Sequence, residues 1–181
     1  MAYGIVLPLD VAALNIDASN KTFISSDDIE NGSVFTLGAV VSGQEDEFAV
    51  VKPAAANLAK QFYMAMSPER IVTNINGQTY YDLVKDPRAF INVAGEPIDG
   101  VMLKIGDTVR LSADALAGSY VGSGSVTTHV VAVDGAYQLT WATAAISGLS
   151  LKHTRTTYIS VPSALGSQRV TAYDFIVEAV A

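Results

Sequence analysis

Along this chain, short apolar runs alternate with polar punctuation, and no stretch sustains a helical period. Residues 1–20 begin apolar (Ile5, Val6, Leu7, Leu9, Val11, Leu14), carry Pro8 and keep no clean period, so they read as an extended arm. Asn31-Gly32 marks a turn, and Ser33–Val41, rich in Val, Phe, Thr and Leu, reads as a strand. A polar turn at Ser42–Glu47 returns it into Phe48–Lys52, a hairpin. Pro53 with three alanines behind it can open a short helix. Phe62, Met64 and Met66 alternate with Tyr63, Ala65 and Ser67, which suits a strand buried on one or both faces. Residues 68–100 are punctuated by Pro68, Asn76-Gly77, Pro87, Gly95-Glu96-Pro97 and Asp99-Gly100, with one short helix at Tyr81–Val84 or Pro87–Ile91.

Val101–Ser112 reads as two β runs around a Gly106-Asp107 turn. Val126–Val133 and Tyr137–Thr143 flank Asp134-Gly135, the strongest short-range hairpin signal, with Tyr137, Leu139 and Trp141 on one face. Thr157–Val161 and Val170–Ala179 supply the last strands. The pattern predicts an all-β fold, a small barrel or sandwich with an extended N-terminal arm and little helix. Residues 1–20 form the arm and 21–181 the β domain, with 68–100 as the place where a subdivision would fall.

Composition sharpens this picture in three ways. Half of the 181 residues are hydrophobic and 16% are charged, enough to build a core and too apolar for disorder. No apolar run approaches the ~20 residues that span a bilayer, so no membrane partner is expected. The absence of cysteine excludes disulfides and thiolate chemistry, which suits folding in a reducing cytosol. The charge is uneven: residues 1–50 hold Asp10, Asp17, Asp27, Asp28, Glu30, Glu45, Asp46 and Glu47 against Lys21 alone, and the remainder is neutral. With no basic stripe, nucleic acid is not an expected partner. Between Arg110 and Lys152 only Asp114 and Asp134 are charged, which predicts burial inside the domain or against another subunit.

Candidate chemistry does not converge. Gly122-Ser123-Gly124 has no Lys-Ser/Thr behind it and leads into a strand, so it lacks the helix N-terminus that holds phosphate. His129 and His153 have no local nucleophile signature beside them. Asp27-Asp28-x-Glu30 and Glu45-Asp46-Glu47 do not match the alternating spacing of a calcium loop and read as solvated turns. The expectation is therefore a protein that is not an enzyme, with no catalytic residue, metal or cofactor.

The order of features resembles the small head-decoration (auxiliary, or cement) proteins of tailed bacteriophages. An Asn-Gly-Ser-Val-Phe-Thr-Leu-Gly strand (31–38) precedes an acidic turn. A Val-Lys-Pro step then leads to Phe-Tyr-Met-Ala-Met-Ser-Pro-Glu (62–69). Phe-Ile-Asn-Val-Ala-Gly-Glu-Pro-Ile (90–98) and Lys-Ile-Gly-Asp-Thr-Val-Arg-Leu-Ser (104–112) follow, then a late hairpin and an apolar last strand. The resemblance covers roughly residues 27–181. It implies a virion protein at the capsid surface, made in the host cytoplasm, that binds and stabilises the shell without chemistry. Its partners would be the major capsid protein and other copies of itself, a trimer among the states allowed. From the residues themselves, an apolar arm (Tyr3, Ile5, Val6, Leu7, Leu9) would make the partner contact, most simply as an added strand. Two further readings stand beside it: a tail-tube or head–tail connector subunit, and a β-barrel module binding carbohydrate or another ligand on Tyr120, Tyr137 and Trp141.

Overall fold

The computed structural model describes residues 2–75, 78–83, 86–122, 127–163 and 166–180. The turn expected at Asn76-Gly77, the end of the Tyr81–Val84 segment and the Ser123–Val126 stretch lie outside them. The fold is all-β: among the described residues, helix is limited to 3-10 turns of three or four residues.

One group of strands closes into a barrel: β2 (Asn20–Ile24), β3 (Val34–Val40), β4 (Glu47–Val51), β5 (Phe62–Ala65) and β8 (Pro97–Met102), in the order β2-β4-β3-β5-β8. A second group forms a seven-stranded sheet. It contains β1 (Val6–Asp10), β9 (Thr108–Ser112), β10 (Leu116–Ala117), β11 (His129–Val131), β12 (Leu139–Ala142), β13 (Ser150–Ser163) and β14 (Gly166–Ala179), in the order β1-β9-β14-β13-β11-β12-β10. The hairpin β6 (Arg70–Ile75) and β7 (Gln78–Leu83) pairs only with itself.

Period-2 alternation explains how the two groups fit together. On the barrel strands, Phe23, Phe35, Tyr63, Ala65 and Ile98 fill the interior, with the rings of Phe23 and Phe35 4.8 Å apart, edge to face. Their sequence neighbours Val34, Phe62, Met64, Val101 and Leu103 face outward. They meet Val109, Leu111, Leu151, Phe175 and Val177 of the large sheet in a second, larger core. Strand β5 is thus buried on both faces, the alternative its sequence had left open. Gly100 is the concession that closes the barrel, because a Cβ there would run into the Phe23 ring.

The barrel and the large sheet share one core, with strands from both sides of residues 68–100 contributing to it. β8 returns to the barrel after the β6–β7 excursion, and the chain changes sheets later, between Met102 and Thr108. Asp107 fastens that crossing. Gly106 takes φ +95°, which only glycine adopts readily, and donates its N–H to the Val177 carbonyl. The buried Asp107 carboxylate accepts the Lys104 N–H at 2.7 Å and the Ala12 N–H at 3.0 Å, and its carbonyl accepts from Val177. The two β runs around Gly106-Asp107 therefore exist but do not pair with each other: β8 belongs to the barrel and β9 to the sheet.

Several local expectations are corrected. The N-terminus is not a free arm: β1 pairs antiparallel with β9, and Val11 and Ala13 pack in the core. The alanines after Pro53 form a turn, because Asn57 bonds the Ala54 N–H and the Lys52 carbonyl. Tyr81–Leu83 belongs to β7, and the short helix falls at Pro87–Ala89, capped by Asp86 accepting the Arg88 N–H. The Asp134-Gly135 turn joins β11 to β12 as an antiparallel pair, but across a seven-residue connection rather than a two-residue one.

Asp107→Ala removes two charge-assisted, partly buried bonds to backbone N–H groups. We expect a loss of roughly 3 kcal/mol in urea unfolding followed by circular dichroism. Asp107→Asn, which keeps one acceptor oxygen, should lose about half of that.

Candidate interaction surface

The five arm residues divide by burial and not by face, since the buried Ile5 has the same parity as the exposed Leu7 and Leu9. Ile5 and Val6 are 1% and 7% exposed and are tied down. The Ser112 N–H donates to the Ile5 carbonyl, the Ile5 N–H donates to Ser112 Oγ, and Val6 lies opposite Leu111. Tyr3 is half-buried, with its N–H on the Arg88 carbonyl. Leu7 and Leu9 face outward at 37% and 47% exposure. Ile5 and Val6 are thus core residues of this domain, and of the five only Leu7 and Leu9 present large exposed side chains. Pro8 also leaves this edge strand one N–H short, which weakens it as a template for an added partner strand.

Leu7 and Leu9 have apolar company. Leu14, Ile16 and Ile105 are also exposed, and all five sit on segments gathered by the Asp107 carboxylate and by the β1–β9 pairing. Asp10 and Asp17 are exposed among them. The eight acidic residues of the first fifty are all at least partly solvent-exposed. The charge-poor stretch splits: Leu116, Val130, Ala132, Leu139 and Leu149 are buried in the core, whereas Thr143–Ser147 is an exposed, uncharged loop.

The three candidate aromatics do not form one platform. Tyr120 and Trp141 meet at 5.1 Å, but they join Tyr173, Phe175 and His153. Trp141 stands edge-on to Tyr173 at 5.0 Å, so the cluster extends the main core rather than offering a flat sugar-binding face. Burial pushes the His153 imidazole below, and the Tyr173 phenol above, their ordinary ranges. His153, Tyr173 and Phe175 were not among the sequence candidates. Only register reveals them, since His153 pairs with Phe175 across β13 and β14.

Tyr137 goes elsewhere. Its carbonyl accepts the Val34 N–H and its ring packs on the barrel core, because the β11–β12 connection has already left the strand. Its hydroxyl donates to Asp27 Oδ2 at 3.1 Å, while Lys52 Nζ lies 4.4 Å from the ring centre and 3.5 Å from the same carboxylate. Beside it lies an open hollow of about 230 Å³, lined by Asp28, Glu30, Ser33 and Gln138 among others. It falls short of the roughly 300 Å³ at which ligand pockets begin. Its acidic groups are engaged: Glu30 accepts the Gly4 N–H at 2.9 Å, and Asp28 accepts the Ala94 N–H.

The outer face of the large sheet is a charge ladder. Asp174, 5% exposed, is clamped by Arg110 and Arg155, each with a nitrogen 2.6 Å from its carboxylate. Burial alone would raise this carboxyl, but the two guanidinium groups outweigh it and hold it below the usual carboxylate range. Farther along, Glu178 accepts from Lys152 at 3.0 Å and lies 2.9 Å from His129 Nε2. Among the described residues, no group of three or more histidine or carboxylate side chains is arranged to hold a metal ion, and no helix is long and apolar enough to cross a membrane.

Burial first, and then the bond to Asp27, push the Tyr137 phenol up to about 12. A phenol that resists ionisation in the folded state contributes stability below its unfolded pKa, and loses it as pH rises toward the folded value. Stability should fall between about pH 10 and 12. Tyr137→Phe should flatten that fall in urea titrations across the window, and an unchanged slope would contradict the assignment. Comparison with known proteins finds no matching family model, no matching curated protein and no matching solved structure.

Proposed function

We propose that this protein is a non-enzymatic structural element of a tailed-bacteriophage particle, bound to the outside of the capsid and stabilising it. The observation that carries this reading is the exposure of Leu7 and Leu9 on the edge strand β1, with Leu14, Ile16 and Ile105 exposed on segments that the Asp107 carboxylate ties close to it. A monomer gains nothing from exposing several Leu and Ile side chains on neighbouring segments, whereas a contact surface does. The all-β fold and the feature order shared with decoration proteins support the same reading.

Magnitudes limit how strong one contact is. Full burial of a Leu or Ile gives about 1.5–3 kcal/mol, and these residues are already about half buried, so each adds roughly 1 kcal/mol. The sum, about 5 kcal/mol, is comparable to the 4–15 kcal/mol that association costs in lost freedom. One patch alone binds weakly. Attachment needs a polar rim, here Asp10 and Asp17, or several copies acting together.

A ring-forming tail-tube or connector subunit is the second reading, favoured by one observation: the outer half of β13–β14 pairs with no other strand. Copy number separates the two, since decoration scales with the area of the shell and a connector with a single ring.

Deleting the first fourteen residues would strip Ile5, Val6, Val11 and Ala13 from the core, so point substitutions make the better test. The double variant Leu7→Asp, Leu9→Asp should keep the wild-type circular dichroism spectrum and lose at least tenfold in co-sedimentation with capsids of the encoding phage. Undiminished co-sedimentation would remove this patch from the account.

A further inference from the structure

Strands β13 and β14 are each fourteen residues long, far longer than their neighbours. β11 covers β13 only at Ser150–Lys152, with one further bond from the His153 N–H to the Thr128 carbonyl. β9 covers β14 only at Ala172–Ile176. A bulge between His153 and Arg155 marks where β13 leaves the sheet. From there to Ser163 its outer edge has no strand partner among the described residues.

The register tells which groups that edge presents. Ser112 donates its N–H to Ile5 on the far side of β9, so Leu111 bonds Tyr173 and Ala172 turns toward β13, which makes Thr157–Ala172, Ile159–Val170 and Val161–Gln168 the hydrogen-bonded pairs. The residues between them, Thr156, Tyr158, Ser160 and Pro162, direct their backbone groups away from β14. Pro162, which has no N–H, falls on one of these outward positions, where it leaves the β14 ladder intact. Thr156, Tyr158, Ser160 and Pro162 are all exposed, Tyr158 at 56%. The alternate residues Ile159 and Val161 are buried with Ile5 and Ala172, which holds the hairpin in place.

Charge points to the occupant. From Thr156 to Ser163 the edge carries no charge, so it lacks the Lys and Glu that usually protect such an edge. The β14 edge carries Arg169, which would face its own copy if β14 paired with β14. An antiparallel pairing of β13 with β13 about Tyr158 sets Tyr158 against Tyr158, Thr156 against Ser160 and Arg155 against Val161. No like charges are opposed, and Pro162 lies beyond the central bonds. We propose that the free edge of β13 is a self-association surface, joining two copies of this chain in a two-fold antiparallel strand pair centred on Tyr158. The proposal stands independently of the capsid reading.

The chain has no cysteine, which makes the register directly testable. Opposed residues of a hydrogen-bonded antiparallel pair have Cα atoms ≈ 5.5 Å apart, within disulfide reach. Tyr158→Cys should therefore give a covalent dimer on mild oxidation, while Ser160→Cys, facing Thr156 instead, should cross-link at least tenfold less. In sedimentation equilibrium, the wild type should show a concentration-dependent dimer that Tyr158→Lys weakens at least tenfold without altering the circular dichroism spectrum. In the dimer the Tyr158 and Ser160 amides should exchange slowly with solvent. In the Tyr158→Lys monomer they should exchange fast, while the Thr157 and Ile159 amides stay protected. A wild-type monomer at all concentrations, a dimer indifferent to Tyr158→Lys, or equal cross-linking at 158 and 160 would each overturn the proposal.

Discussion

The carboxylate of Asp107 is the knot on which both halves of the molecule depend. A chain that builds a closed barrel and a large sheet must pass between them, and the crossing leaves backbone N–H groups outside any strand ladder. Asp107 accepts two of these, from Lys104 at the barrel exit and Ala12 at the N-terminal segment, while Gly106 and the Asp107 carbonyl bond to Val177. Three pieces of chain distant in sequence meet at one buried residue. The glycine before it is equally required, since φ +95° strains any side chain. The placement of β1, and with it the exposure of Leu7 and Leu9, follows from this junction.

What could be read from the sequence was local. The Asp134-Gly135 turn, the Ser33–Val41 and Phe48–Lys52 hairpin and the Gly106-Asp107 turn all carry short-range chemistry, and all appear. The errors lie where a residue answers to something far away. Ile5 and Val6 look like an arm because nothing near them predicts Ser112 and Leu111 as partners. Tyr137 shares a period with Leu139 and Trp141, yet Val34 and Asp27 pull it to the barrel. Pro53 and its alanines favour a helix until the Asn57 side chain closes a turn. The candidate surface was half legible for the same reason. Apolar residues near the N-terminus are visible as a run, but which of them face outward depends on a register with β9.

The charge distribution also takes on a physical meaning. The acidic excess of the first fifty residues stays on the surface, where it keeps an apolar-rich protein soluble. Three of the five cations in residues 91–181 are instead committed. Arg110 and Arg155 neutralise the buried Asp174, and Lys152 engages Glu178. A buried carboxylate needs partners, here two guanidinium groups, as backbone N–H groups serve at Asp107. This leaves little free positive charge on the large sheet and little tendency for its outer face to attract the acidic surface of a neighbouring copy. The proposed self-association would then rest on uncharged groups, the backbone of the β13 edge that has no strand partner among the described residues.

Geometry links that edge to the apolar patch. In an antiparallel pairing within one sheet, the two-fold axis stands perpendicular to the sheet, so both copies turn the same face to the same side. Leu7 lies opposite Arg110, Arg110 opposite Asp174, and Asp174 opposite Arg155, which places all four side chains on one face. Three strand spacings, about 14 Å, separate β1 from β13. The two Leu7 side chains of a pair would therefore face a common target, on the order of 30 Å apart across the joined sheet. A patch that binds weakly by itself gains from such a pair, because the second contact is made at high effective concentration once the first is in place. A self-paired edge and an outward Leu7 on the same face would thus form a bivalent unit suited to a flat, repeating surface.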